Sequence, residues 1–331
     1  MSGPASGVAP GAEANLTAQD VSLEVDLGKL KLRNPVLAAS GAYGYGAEYT
    51  DFIENATIGG FVTKSVTPEA KRGNPHPRCA ETPSGMLNSI GLENLGIDHF
   101  LEHEWPEVKK EPCTPILSVA AYSIEDYARM VAKVEAAGGA DAIELNLSCP
   151  NVKEGGRTFG GNPDAVEEIL SRCREETDTF LLAKLTPNAD VVAIAQGAEA
   201  GGADGLTLIN TLLGMGIDVE RRTPLLAMGM GGLSGPAVKP VALAMTWQVR
   251  RVTALPIIGM GGISNWKDAV EFLLAGANAV QVGTALFANP LVLNETIHGI
   301  ADYCARHGFR SVEEVRGALR SGDRIEEGKS K

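Results

Sequence analysis

Residues Ile124 to Leu147 read IEDYARMVAKVEAAGGADAIELNL. Apolar residues recur at helical spacing through Ile124–Ala137, which predicts an amphipathic helix. Gly138-Gly139 stops it, and the apolar run Ala142–Leu147 then reads as a strand. The same alternation runs outward in both directions. Further strand candidates are Pro35–Ala39, Gly60–Ser65, Pro115–Ala120, Phe180–Leu185, Gly205–Asn210, Pro256–Gly259 and Ala279–Val282. Amphipathic stretches at Ala165–Glu176, Val191–Ala200 and Trp266–Ala275 lie between them, two ending at Gly201-Gly202 and Gly276. The strands are continuous Val/Ile/Leu-rich runs, as parallel strands buried on both faces should be. Eight such units in this length predict an α/β fold, a (β/α)8 TIM barrel, with a doubly wound open sheet as the alternative.

Ahead of the first unit, Val21–Leu27 and Leu30–Leu32 alternate around Gly28-Lys29 and predict a small hairpin. Residues 1–20 read as a flexible tail and residues 21–331 as a single barrel domain. The tail has neither the basic start nor the apolar centre of a secretory signal, and no apolar run is long enough to span a bilayer. Cytoplasmic residence is the expectation, which leaves the sequons at Asn15, Asn55 and Asn146 silent. A formal charge of −12 argues against general attraction to nucleic acid or to an anionic membrane. The five cysteines, Cys79, Cys113, Cys149, Cys173 and Cys304, are scattered and show no C-x-x-C spacing. That opposes a disulfide framework and any zinc or iron–sulfur site built by this chain alone.

Chemistry in a barrel gathers where the strands end. Those ends carry Ser40-Gly41, Lys64-Ser65, Ser118, Asn146 to Asn151, Lys184, Asn210-Thr211, Gly261-Gly262 and Gly283-Thr284. The richest is AIELNLSCPNVKEGG, residues 142–156, where Asn146, Ser148, Cys149 and Asn151 stand within six residues. Neutral amides can read a ring that carries both donors and acceptors, and a thiolate between them can move a proton. The bland alternative is a buried cysteine at a strand end. Gly261-Gly262 and Gly283-Thr284 follow the seventh and eighth strands, a common phosphate position in this fold. Read blandly, they are turns. Lys64 and Lys184 end apolar strands, where an anionic cofactor would supply the partner each needs, unless they snorkel to the rim. Two intervals, Pro68–Pro112 and Thr211–Pro240, are too long for simple connections and are expected to be functional loops.

Taken together, AASGAYGYG, FVTKSVTPEAKRGNP, SGMLNSIGLENLG, IELNLSCPNVKEGG, AKLTPN, DGLTLINT, GMGGLSGPAVKP, IIGMGGI and VGTALF resemble the dihydroorotate dehydrogenases over residues 20–310. The subtype resembled is family 1B, the catalytic subunit of the NAD-linked enzyme; a cysteine at 149 sets it apart from membrane-associated family 2, whose base is serine. The resemblance implies one FMN per chain, contacted by Ser40, Lys64, Ser65, Ser118, Asn146, Lys184, Ile209, Gly235, Gly261, Gly262, Gly283 and Thr284. It implies a pyrimidine pocket of Lys64, Asn88, Ser89, Ile90, Gly91, Leu92, Asn146, Asn151, Asn210 and Thr211, with Cys149 as catalytic base. It further implies a partner subunit bearing FAD and a [2Fe-2S] cluster, around a dimer of catalytic chains. One departure is visible: Ser118 stands where family 1B usually has asparagine, which puts that flavin contact in doubt. The functional alternatives are the fumarate-using family 1A enzyme, a dihydropyrimidine-oxidising relative, and a non-catalytic phosphate-binding barrel.

His99-Phe-Leu-Glu102-His103 formally matches the H-x-x-E-H zinc pattern. It is read as a polar stretch of a connecting helix, and no metal is expected.

Overall fold

The computed structural model describes residues 16–148, 153–154 and 157–320. Eight strands close a barrel in chain order: β1 (Val36–Ala38), β2 (Gly60–Val62), β3 (Thr114–Val119), β4 (Ala142–Asn146), β5 (Phe180–Lys184), β6 (Gly205–Leu208), β7 (Ile257–Met260) and β8 (Ala279–Val282). Every neighbouring pair is parallel, and β8 returns to β1 through Val280↔Val36 and Val282↔Ala38. That closure decides against the open sheet. Each strand begins within one residue of its expected start.

Helices α1 (Ile124–Ala136), α2 (Pro163–Glu176), α3 (Val191–Ala200), α4 (Lys239–Arg250), α5 (Trp266–Leu274) and α6 (Val292–His307) wrap the barrel. Side chains of Ser123, Asn162, Asp190 and Asn265 accept first-turn N–H groups of α1, α2, α3 and α5, satisfying donors that a helix start leaves open. The apolar stripe of α1, with Tyr127, Met130, Val131 and Val134, is buried in the core. The first unit departs from expectation, since β1 reaches β2 through two short 3₁₀ turns, Ala47–Tyr49 and Asn55–Thr57, and no α-helix. The segment SGAYGYG, residues 40–46, ahead of both turns, is too rich in glycine to hold a helix, and Tyr43 instead stacks on Tyr49 with ring centroids 4.7 Å apart.

The expected hairpin forms between Val25–Asp26 and Lys31–Leu32 and caps the end of the barrel where the strands start. Arg33 donates to the carbonyls of Ala56 and Pro112, ahead of β2 and β3. At the turn, Lys29 pairs with Asp204 at 3.0 Å and donates to Asp178 O, ahead of β6 and β5. Val25, Leu27, Leu30 and Leu32 are buried beneath it.

The opposite end carries what the two long intervals build. They join in one antiparallel sheet, ordered Leu212–Met215, Met230–Ser234, Gly85–Asn88, Cys79–Thr82. Leu213, Met215 and Met230 on it stay more than half exposed. Among the described residues no helix is long and apolar enough to cross a membrane.

Candidate active site

Because all eight strands are parallel, their C-terminal ends share one rim, where the described residues among those expected at strand ends stand. Ser40, Lys64, Asn146, Asn210, Thr211, Gly261, Gly262, Gly283 and Thr284 are half-buried, whereas Ser65, Ser118, Lys184 and Ile209 are buried.

Hydroxyls and amides link five of the strand ends, those of β1, β2, β3, β4 and β6. Ser40 Oγ donates to Thr63 O at 2.7 Å and lies 3.4 Å from Ser65 Oγ. Ser65 Oγ lies 2.8 Å from Ser118 Oγ and accepts from Asn146 Nδ2 at 3.2 Å. Asn146 Oδ1 accepts from Asn210 Nδ2 at 3.1 Å, and Asn210 Oδ1 in turn takes the Thr211 N–H at 2.8 Å. Ser118 has no exposed surface and its hydroxyl faces Ser65, so it acts on the mouth through Ser65. The main-chain carbonyl of Asn146 accepts the Tyr127 hydroxyl at 2.7 Å, which pins the end of β4 to the first turn of α1.

Lys184 has a countercharge of its own. Its partner is within the chain: Nζ lies 3.4 Å from Glu144 Oε1, in the barrel interior, and Gln281 Nε2 donates to Glu144 Oε2 at 3.1 Å. A buried ammonium needs a countercharge, and Glu144 stands two residues before Asn146 on the same inward face of β4. The signal was present as a lone carboxylate inside an apolar run. Lys64 makes no ion pair among the described residues.

The glycine motifs at the ends of β7 and β8 leave backbone donors uncommitted among the described residues. The N–H groups of Gly262, Gly283 and Thr284 donate to no acceptor among the described residues, and all three residues are half-buried. A Cβ on Gly262 would sit 2.7 Å from Lys239 N and 2.8 Å from Gly235 O, so only glycine lets that backbone lie so close. At Gly283 a Cβ would meet only Ala39 Cβ, at 3.4 Å. The start of α4, beside the first motif, carries no side-chain cap. Ser234 Oγ and Thr284 Oγ1 share a 2.8 Å hydrogen bond that ties the accessory sheet to the second motif. Uncommitted backbone N–H groups at the ends of adjacent strands suit a phosphate.

Asn88 to Leu92 leave the accessory sheet over the mouth, with Asn88 Nδ2 3.5 Å from Gly232 O. Asn74, unremarked in the sequence, braces this loop: its Nδ2 donates to Ser89 O and Ser89 Oγ, and its N–H to Ile90 O. Asn188, also missed, holds the strand beyond Asn210 by donating to Thr211 O at 3.1 Å and accepting from Leu213 N at 2.9 Å.

A family model described as dihydroorotate dehydrogenase matches residues 22–303. The chain belongs to the dihydroorotate dehydrogenase family. Among its relatives in that family, a protein of Parabacteroides distasonis named dihydroorotate dehydrogenase B (NAD(+)), catalytic subunit, is 51% identical over 298 residues, 90% of this chain and 98% of the relative. Proteins of the same name from Desulforamulus reducens and Trichlorobacter lovleyi are 48% and 47% identical, each over 90% of this chain and 98% of its own length.

Two residues expected in this dihydroorotate dehydrogenase site, Cys149 and Asn151, lie outside the described residues; Ser148, just before them, is half-buried, its N–H 3.4 Å from Asn146 Oδ1. The other cysteines do not compete for the role of base. Burial pushes the thiols of Cys113 and Cys173 up to about 12 and that of Cys304 up to about 11, so they stay protonated and inert. Cys79 is exposed on the outer strand of the accessory sheet. His99 and His103 stack edge to face at 4.4 Å, and among the described residues no group of three or more His, Cys, Asp or Glu could hold a metal.

Proposed function

We propose that this chain oxidises dihydroorotate to orotate in the making of pyrimidine nucleotides, with one FMN held at the barrel mouth. The observation that carries the reading is the shared rim: an amide–hydroxyl chain from Ser40 to Asn210, a buried lysine, and uncommitted backbone N–H groups for a phosphate, in a chain of the dihydroorotate dehydrogenase family.

In this reading Gly262, Gly283 and Thr284 hold the FMN phosphate, with Gly235 and Gly261 shaping the cradle. Ser40, Lys64, Ser65, Asn146, Lys184 and Ile209 face the ring, and Ser118 supports them through Ser65. FMN supplies, when bound, the acceptor for the hydride lost from C6 of dihydroorotate. Asn88, Asn146, Asn151 and Asn210 orient the pyrimidine, each amide offering a donor and an acceptor. Lys64, Thr211 and the loop Ser89–Leu92 complete the pocket. Cys149 as thiolate takes the proton from C5, and the C5–C6 double bond of orotate forms as the C6 hydride leaves.

The relatives' names carry both NAD(+) and the words catalytic subunit, which supports a separate partner for the electrons. We assign that partner the FAD and the [2Fe-2S] cluster, in an assembly built around a dimer of catalytic chains, residing in the cytoplasm. The test is direct. The purified chain should be yellow with FMN, and dihydroorotate should bleach it without oxygen. Fumarate should not restore the colour at a useful rate. A colourless protein that takes up no FMN, or flavin untouched by dihydroorotate, refutes the reading.

A further inference from the structure

Glu144 has no exposed surface, yet it carries a carboxylate into the centre of the barrel. Its Oε1 lies 3.4 Å from Lys184 Nζ but takes part in no hydrogen bond among the described residues, and its Oε2 accepts from Gln281 Nε2 at 3.1 Å. The ammonium of Lys184 is therefore neutralised by charge while none of its three donors is committed to a described side chain. A pair built for stability alone would close that bond, since a buried ion pair repays its desolvation only with good hydrogen-bond geometry. Next to it, Gln281 Oε1 and Thr207 Oγ1 are also buried without hydrogen-bond partners among the described residues. This polar floor lies directly under the rim that carries Asn146 and Ile209.

We propose that Glu144, held by Gln281, is a positioning and charge-balancing residue for Lys184 that keeps the flavin of this site strongly reducing. The inference rests on the FMN reading above. An ammonium beside the flavin favours the reduced, negatively charged ring and so raises its potential. Glu144 opposes that field from below, while the Lys184 donors stay free for the ring. An acceptor at the level of NAD needs such a reducing flavin, whereas a stronger oxidant such as fumarate does not. The device thus matches the site to its electron acceptor.

The experiment uses FMN-loaded protein and reads the two-electron midpoint potential against a reference dye, together with the dissociation constant of the sulfite adduct, which tightens as positive charge grows beside the ring. Glu144→Gln should shift the reduction equilibrium toward reduced flavin by about tenfold or more, which is about 30 mV for a two-electron couple. Sulfite should bind correspondingly tighter, and Glu144→Asp should stay nearer the wild type. An unchanged or lowered potential in Glu144→Gln overturns the proposal. If that variant does not fold, Lys184→Met/Glu144→Gln removes both charges and buries no lone ion. Its equilibrium should stay within about threefold of wild type; a fall of about tenfold or more, equal to losing Lys184 alone, overturns the proposal. Wild-type protein that takes up no FMN overturns the underlying reading as well, whereas loaded protein whose potential ignores Glu144 overturns only this inference.

Discussion

The side-chain amide of Asn210 donates to Asn146 Oδ1 at 3.1 Å, tying the end of β6 to the end of β4 across β5. With Asn146 Nδ2 on Ser65 Oγ, both ends of the Asn146 amide are fixed before any ligand arrives. Such preorganisation lowers the cost of orienting a substrate ring. Asn210→Ala removes one fixing bond and, in the proposed pocket, one amide that would meet the ring. The KM for dihydroorotate should rise about tenfold, near the worth of one hydrogen bond in a desolvated site, with FMN content unchanged. Steady-state kinetics beside the flavin absorbance ratio check this.

Cys149→Ala should abolish dihydroorotate oxidation while FMN stays bound. In the wild type, flavin bleaching should speed up as pH rises through the thiol pKa, about 8.5 when unperturbed, because only the thiolate accepts the C5 proton. Anaerobic stopped-flow mixing across pH 6 to 10 (roughly the range spanning that pKa) reads both. Near-normal turnover in the alanine variant would remove Cys149 from the mechanism.

Two glycines of the proposed phosphate cradle should separate folding from binding. At Gly262 φ is +79° and a Cβ would strike Lys239 N and Gly235 O, so Gly262→Ala should cost about 2 kcal/mol or more by urea titration. Gly283 has room, its Cβ meeting only Ala39 Cβ at 3.4 Å. Gly283→Ala should leave stability within about 0.5 kcal/mol. A methyl there narrows the approach to the uncommitted N–H groups, and FMN should dissociate more readily on dilution.

The buried thiols predict an alkaline limit. Cys173 is fully buried, and its thiol is raised from 9.0 to about 12. The unfolded chain therefore releases this proton first. The stability tied to keeping it is complete below pH 9 and is lost as pH rises toward 12. Each such thiol steepens the decline by up to about 1.4 kcal/mol per pH unit. Urea midpoints between pH 8.5 and 10.5, about the window where an unfolded thiol ionises, should fall in the wild type and fall less steeply in Cys173→Ala. Equal slopes would show that Cys113 and Cys304 set the limit.

Much of this was legible along the chain, because each signal is local. A period of 3.6 closing on Gly138-Gly139, then a run such as Ala142–Leu147, defines a helix and a strand with no knowledge of what they touch. Parallel strands in series put their last residues on one side, so Ser40, Lys64, Asn146, Lys184 and Asn210 could be grouped before any coordinates. The glycine stops at Gly138-Gly139, Gly201-Gly202 and Gly276 likewise announced the breaks they make.

The tertiary structure alone decided which distant residues answer one another. No local rule pairs Glu144 with Gln281, 137 positions on, or Gly85–Asn88 with Met230–Ser234 in a shared sheet. Nor could the lone carboxylate in AIELN be recognised as the countercharge of Lys184 until the barrel had closed around both. Local backbone preference is written every few residues, whereas the partner of a buried charge is set by closure of the chain in space, which is why the strands and the rim were readable in one dimension and the polar floor beneath them was not.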